Sequence, residues 1–322
     1  MFNIPEETKP RCSFADLPQK ISFLESDVVV YGVPLDLTTS FGKGTGRGPE
    51  AIRVTSARQI ETFVFEESRD IQSCVKIYDL GDLRLPFSLR TNEEYNHDSS
   101  SYIENTSAVL SFLDSSIPKI NRTLSENRKV PLILGGEHTL TYYSIKAFAK
   151  EKPVIIHFDA HRDMKNQYDG MKICHTTPFF HLISEGHIPG NDLIQVGIRQ
   201  SDEQENRTAK NYGVTTFDAW DVHYRFDRVL NRIGEITENR KIYISFDIDV
   251  YDIPFVPCTG TPEPFGLNPF QVVDILKNIH DTAKLIGMDI VEVSVKNDDY
   301  REGTLATQTI YRILCRKFGK VK

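Results

Sequence analysis

Residues 155–163 read IIHFDAHRD. Two β-branched aliphatics open this stretch, and Asp159, His161 and Asp163 close it. Alternate side chains of an extended chain share a side, so the Asp-x-His-x-Asp spacing sets a carboxylate, an imidazole and a carboxylate next to one another. Burying three such groups at the end of an apolar strand is costly unless something positive lies among them. A metal ion is the simplest occupant.

Outward from that strand the same punctuation recurs. Residues 27–33 (DVVVYGV), 75–82, 130–134 (VPLIL), 191–199, 211–218, 241–246 (KIYISF) and 285–294 (LIGMDIVEVS) read as further strands, most of them apolar runs of the kind buried in parallel sheets. Helical patterning lies between them: from Pro49, a residue suited to a first helical turn, up to about residue 128 after a polar loop at 91–101, from Thr139, and around 222–237, 269–282 and 305–318. This alternation predicts one doubly wound α/β domain over residues 1–322 with a mostly parallel sheet. Residues 1–25, rich in Pro and charge, are expected to wrap the surface. The glycine-rich GKGTG run at 42–46 has neither the GxxxxGK[ST] nor the GxGxxG spacing of a phosphate loop, so a substrate-facing or interface loop is the better reading.

The balance of 38 basic and 45 acidic residues gives a net charge of −7, which argues against a nucleic-acid partner. Five scattered cysteines without a CxxC pair fit a reduced, intracellular protein. The N-terminus lacks the layout of a signal peptide, and no apolar run approaches the ~20 residues that cross a bilayer. A cytoplasmic protein without a membrane partner is expected.

Three strands end in metal-ligand chemistry: His138 after the first, then Asp159, His161 and Asp163, then Asp247 and Asp249. Sites in open α/β sheets gather outside the carboxyl ends of the strands, so these six residues meet if their strands are neighbours. Taken singly, His138 suits a helix start and the Asp247/Asp249 pair a turn or cap. Together they are harder to explain without metal. Four carboxylates carry four negative charges, which two divalent cations offset, and two ions roughly 3.5–4 Å apart form a familiar hydrolytic centre. Oxygen-rich ligation without thiolate points to Mn²⁺ or Mg²⁺, and the imidazoles tilt the balance to Mn²⁺. Zn²⁺, Co²⁺ and Fe²⁺ stay open.

At these residues the chain resembles the ureohydrolase family of arginases and agmatinases. The signatures stand as GGEHT (135–139), DAHRD (159–163) and SFDIDVYD (245–252). YGVPLDLTTSFGKGTGRGPEAIR, DLGD, QVGIRQ and CTGTPEPFGL look like further family segments, so the likeness runs from about Val28 to the C-terminal helix. The resemblance implies a three-layer α/β/α fold around an eight-stranded, mostly parallel sheet. It also implies two Mn²⁺ per subunit, a homo-oligomer (trimer or hexamer), and hydrolysis of a guanidino compound to urea and an amine. Residue by residue it places Asp163 as a ligand that also accepts a proton, His175 as a proton shuttle at the mouth, and Glu292 as the group that receives the guanidinium. Asp252 and Glu263 fall in the metal-side loop as supporting acids.

The GxGRGP-like loop, the HTTPF string and the TGTPEPFGL loop look more like agmatinases, so agmatine, giving putrescine and urea, leads. Guanidinobutyrate, arginine and formiminoglutamate are competitors. The chain departs from the family pattern at Arg162, Ile253, Cys258 and Val295, none of them a ligand. Two other classes stand beside this: a two-metal phosphoesterase recruiting Lys43, Arg47 or Arg199 to its substrate's charge, and a non-catalytic family relative.

Overall fold

A computed structural model describes residues 7–8, 12–16, 21–86 and 100–319. The strands of its main sheet are β1 (Glu7–Thr8), β2 (Val28–Val33), β3 (Ile77–Leu83), β4 (Val130–Gly135), β5 (Val154–Phe158), β6 (Leu193–Ile198), β7 (Thr215–Asp218), β8 (Lys241–Asp247) and β9 (Lys284–Val291). They lie in the order β1-β3-β2-β4-β9-β8-β5-β6-β7. The eight strands from β3 to β7 are all parallel, and β1 adds a short antiparallel edge.

Alternation along the strands feeds two cores. Val28, Val30, Leu134, Ile156 and Phe158 pack with Ile52, Ile310 and Leu314 on one face. Val29, Tyr31, Ile133 and Ile155 pack with Val109, Leu113 and Leu140 on the other. Helices therefore cover both faces, as the near-continuous apolar strands require, and the three-layer expectation is borne out. Each fully buried aliphatic contributes about 1.5–3 kcal/mol.

Several boundaries differ from the sequence expectation. The helical stretch placed at 222–237 is two helices, Ala219–Tyr224 and Phe226–Thr237, broken at Arg225. The first begins early because the Asp218 carboxylate accepts from the Asp221 amide at 2.7 Å, an N-cap bond. A short helix at Pro178–Ser184 has no counterpart in the periodicity, and the last helix opens at Arg301. Of the polar loop at 91–101, only its last two residues fall among those described, at the start of helix Ser100–Glu126. In the N-terminal stretch Phe14 and Ala15 are buried. Among the described residues no helix is long and apolar enough to cross a membrane, and all five cysteines are free.

One row of the sheet interrupts the apolar pattern. Gln195, His157, Ser245 and Asp289 stand in register across β6, β5, β8 and β9, and all four are fully buried. Two residues further on, β5 and β8 reach Asp159 and Asp247.

Candidate active site

The decisive feature is strand order. β4, β9, β8 and β5 are consecutive neighbours, so their carboxyl ends deliver His138, Glu292, Asp247 and Asp159 to one place. The turn after β4 needs its second glycine, because a Cβ at Gly136 would run into the backbone of Leu35. Beyond it the His138 amide donates to Glu292 Oε1 at 2.7 Å, while the Glu292 amide donates to the Gly136 carbonyl at 2.9 Å. Glu137 faces away from the cluster. Its carboxylate accepts from the Leu37 amide (2.8 Å), the Thr38 amide (2.7 Å) and the hydroxyls of Thr38 (2.6 Å) and Thr139 (2.8 Å), which anchors the loop leading to the glycine-rich run.

All six expected ligands come together, with the four acids around two imidazole nitrogens. His138 Nδ1 lies 2.9 Å from Asp163, 3.2 Å from Asp159 and 3.4 Å from Asp247. It is buried yet has no hydrogen bond of acceptable geometry. His161 Nδ1 lies 3.0 Å from Asp249 and 3.4 Å from the other oxygen of Asp159. The two carboxylate oxygens of Asp159 thus face one imidazole each. An orphaned nitrogen ringed by three acids, sharing one acid with a second nitrogen, fits two cations. The described residues contain two overlapping groups able to hold a metal, His138/His157/Asp159/Asp163 and Asp159/His161/Asp249, and this oxygen-plus-imidazole donor set suits divalent cations.

Electrostatics leads to the same conclusion. Burial, and then the charge of Asp159, pushes Asp163 up to about 7. Burial, and then Asp249 and Asp159, pushes Asp247 well above the carboxylate range. Burial opposes charge on His138, yet its three acids outweigh it and raise its pKa, and the Asp249 charge does the same at His161. Acids that hold protons beside bases that gain them mark a buried excess of negative charge. Ligation needs those protons gone. Mn²⁺ added to metal-free protein is therefore expected to release protons, with affinity falling as pH drops through about 7, where Asp163 protonates. A pH-stat titration checks this, and proton uptake would count against it.

Asp163 (φ 52°) and Glu292 (φ 61°) both hold the left-handed backbone region, strain of about 1–3 kcal/mol each that clusters at functional sites. A Cβ at Gly260 would lie 2.7 Å from Glu292 Oε2, which puts the CTGTP loop directly over this acid. His175 sits beside the cluster. Its amide donates to Thr38 Oγ1 at 3.2 Å, its Nε2 lies 3.2 Å from Ser40 Oγ, and its ring meets Tyr168 edge-on at 5.9 Å. Burial, then the charges of His161, Lys43 and His138, lowers its pKa to about 3. Asp252 accepts from the amides of Ile253 (3.1 Å) and Gly266 (3.0 Å), which orders the loop. Glu263 lies 3.8 Å from His161 Nε2.

The departures from the family pattern have structural uses. Ile253 donates that amide to Asp252, and Val295 donates its own to the Gly44 carbonyl at 3.2 Å. Proline could make neither bond. The Cys258 amide donates to Glu302 at 2.9 Å. Arg162 turns away from the acids to Asn206, Gln195 and Thr216. The cations considered for a phosphate substrate are engaged elsewhere: Arg199 with the carbonyls of Asp249, Glu263 and Pro264, Arg47 with Glu50, Asp298 and Tyr300, and Lys43 with the Thr39 carbonyl.

His157 was not foreseen. Its Nε2 lies 2.7 Å from Asp159, its Nδ1 accepts from Gln195 at 3.2 Å, and its ring lies on Phe179. Burial lowers its pKa to about 4, so it is a neutral donor to Asp159. Two-residue alternation back from Asp159 was the available signal.

The family model described as the arginase family matches residues 26–315. The chain belongs to the arginase family. This arginase-family chain is 31% identical over 274 residues to an agmatinase of Pyrococcus horikoshii, covering 85% of this chain and 86% of the relative. It is 32% identical over 295 residues, 90% of each chain, to an N(1)-aminopropylagmatine ureohydrolase of Thermus thermophilus. Its structure is similar to that of proclavaminate amidino hydrolase from Streptomyces clavuligerus, with a TM-score of 0.80, 28% identity, and coverage of 95% of this chain and 96% of that one. The arginase-family chain is an enzyme of the ureohydrolase type.

Proposed function

We propose that this enzyme hydrolyses agmatine to putrescine and urea at a binuclear Mn²⁺ centre. His138, Asp159, Asp163 and Asp247 would hold one ion, and Asp159, His161 and Asp249 the other. The observation that carries this is the orphaned His138 nitrogen among three acids, with Asp159 shared between both imidazoles. Bound there, the ions would supply a water of lowered pKa and offset the charge that develops on the attacked carbon's substituents.

The chain's own residues do the rest. Glu292, buried at the end of β9, receives the guanidinium, whose charge replaces the missing partner of a buried carboxylate. Asp163, the acid nearest His138 Nδ1, takes the proton of the attacking water. His175, neutral beside Ser40, relays a proton to the leaving amine. His175→Ala is expected to keep two ions per chain and to lose about 10²-fold in kcat, the scale of one general acid. Metal analysis alongside steady-state kinetics checks both halves.

Substrate choice rests on the loop resemblances and on the agmatinase relatives. A urea-release panel with Mn²⁺-loaded protein and agmatine, arginine, guanidinobutyrate and guanidinopropionate tests it, with a generic phosphate ester as control. Agmatine should lead. A preference for another guanidino compound overturns the substrate, and no urea from any of them at full metal loading overturns the activity. The resemblance also carries a trimeric or hexameric assembly in the cytoplasm, and sedimentation velocity reads the assembly directly.

A further inference from the structure

We propose that Asp289, acting through Ser245, is a positioning residue that holds the His138 imidazole in the tautomer that leaves Nδ1 bare. The inference rests on the metal-centre reading above and adds two residues that touch neither ion nor substrate.

Asp289 is a fully buried carboxylate in the middle of β9, in register with Ser245 on β8. Its Oδ1 accepts from Ser245 Oγ at 2.8 Å, and its Oδ2 from Tyr243 Oη at 2.6 Å and Thr141 Oγ1 at 3.1 Å. A carboxylate can only accept, so Ser245 spends its single proton on Asp289. Ser245 Oγ also lies 3.0 Å from His138 Nε2. Having no proton left, it offers that nitrogen a lone pair, and the bond forms only if Nε2 carries the hydrogen. Nδ1 is then unprotonated and aimed at the space bounded by Asp159, Asp163 and Asp247. The direction of each hydrogen bond follows from the one before it, starting at the acid.

Burying an acid in a sheet interior is costly, and the fold meets that cost with an extended polar network. Tyr243 Oη lies 2.7 Å from Ser144 Oγ, Asn121 Nδ2 donates to Ser144 Oγ at 3.0 Å, and Tyr31 Oη donates to Asn121 Oδ1 at 2.8 Å. Every member is fully buried. The network gives Asp289 a rigid seat, and Ser245 is the member that reaches a metal-ligand residue.

The test uses the full chain, freed of metal and re-loaded with Mn²⁺ under a graded chelator, with bound metal counted directly. Ser245→Ala and Asp289→Asn are expected to lose the ion at the His138 side at a free Mn²⁺ about 10–100-fold higher than wild type, the scale of a lost partner behind a ligating histidine. Ser245→Thr, which keeps the hydroxyl, should restore wild-type retention. A merely structural role would not move the second readout: ¹⁵N–¹H spectra of the imidazoles, taken on metal-free protein at a pH high enough to leave His138 neutral, should show His138 as the Nε2–H form in wild type and Ser245→Thr, and a tautomer mixture in Ser245→Ala. Wild-type retention and an unchanged tautomer in Ser245→Ala would overturn the inference. Ser245→Ala removes one hydroxyl and decides the question alone if Asp289→Asn does not fold. A wild-type chain that binds no divalent ion overturns the metal centre itself, whereas two ions held equally by wild type and variants overturn only the positioning role.

Discussion

Asp163→Asn is expected to release urea at least about 10³-fold more slowly than wild type and to retain one ion per chain more firmly than the other. General-base loss alone is worth about 10²–10⁴-fold, and a weakened site adds to it. The effect is large because one carboxylate carries both proposed duties. Asp163 Oδ2 is the oxygen closest to His138 Nδ1, at 2.9 Å, and the same group is the proposed proton acceptor. Asparagine is the cleaner substitution because the backbone here has φ 52°, a region asparagine tolerates and alanine does not. Asp163→Ala should lose activity equally and also about 1–2 kcal/mol of stability from that backbone, visible as a lower melting temperature. Metal counting and thermal melts separate the two variants. Wild-type turnover in Asp163→Asn at full metal content would remove Asp163 from the proposed chemistry.

Glu292→Gln should behave differently. Glutamine keeps an oxygen to accept from the His138 amide, the 2.7 Å bond that ties β9 to the turn after β4, so both ions should stay. What disappears is the buried negative charge facing the guanidinium. Truncating one partner of a buried charged pair costs about 2–5 kcal/mol, or roughly 30- to several-thousand-fold in kcat/KM at about 1.4 kcal/mol per decade. Burial, then the charge of Glu137, raises the Glu292 pKa well above its ordinary value. The free acid therefore tends to stay protonated, and a cationic substrate must ionise it. Wild-type kcat/KM should rise with pH for that reason, and the Gln variant should lose this limb. Equal pH profiles in the two proteins would assign the limb to another group.

Much of the candidate metal cluster was legible in the residue order because its members follow apolar runs. Asp159 and Asp247 fall where alternation puts an acid at a strand's carboxyl end, whereas His161 and Asp163 lie beyond β5, Asp163 with φ 52°, and Asp249 lies in a 3-10 turn, so loop backbone and not an extended chain brings these three in. His157 obeys the same alternation one step deeper, yet a histidine inside an apolar strand reads as core until its contact with Asp159 is seen. Ser245 and Asp289 are harder still, since their partners come from different strands. The uses of Ile253 and Val295 in place of proline were invisible for the same reason: an amide's acceptor lies across a loop, not beside it in sequence.

The amino-acid sequence by itself determined the candidate-ligand types, their order along the chain, the alternation of strands and helices, and the family. These depend on local periodicity and on residue chemistry at strand ends, which the chain carries without reference to its partners. Only the tertiary structure decided that β4, β9, β8 and β5 are neighbours. Strand order is set by how crossover helices pack on the two faces, and no local propensity encodes it. That order brings Glu292, from the far end of the chain, between His138 and Asp247, and it turns four separate strand ends into the IIHFDAHRD-centred site.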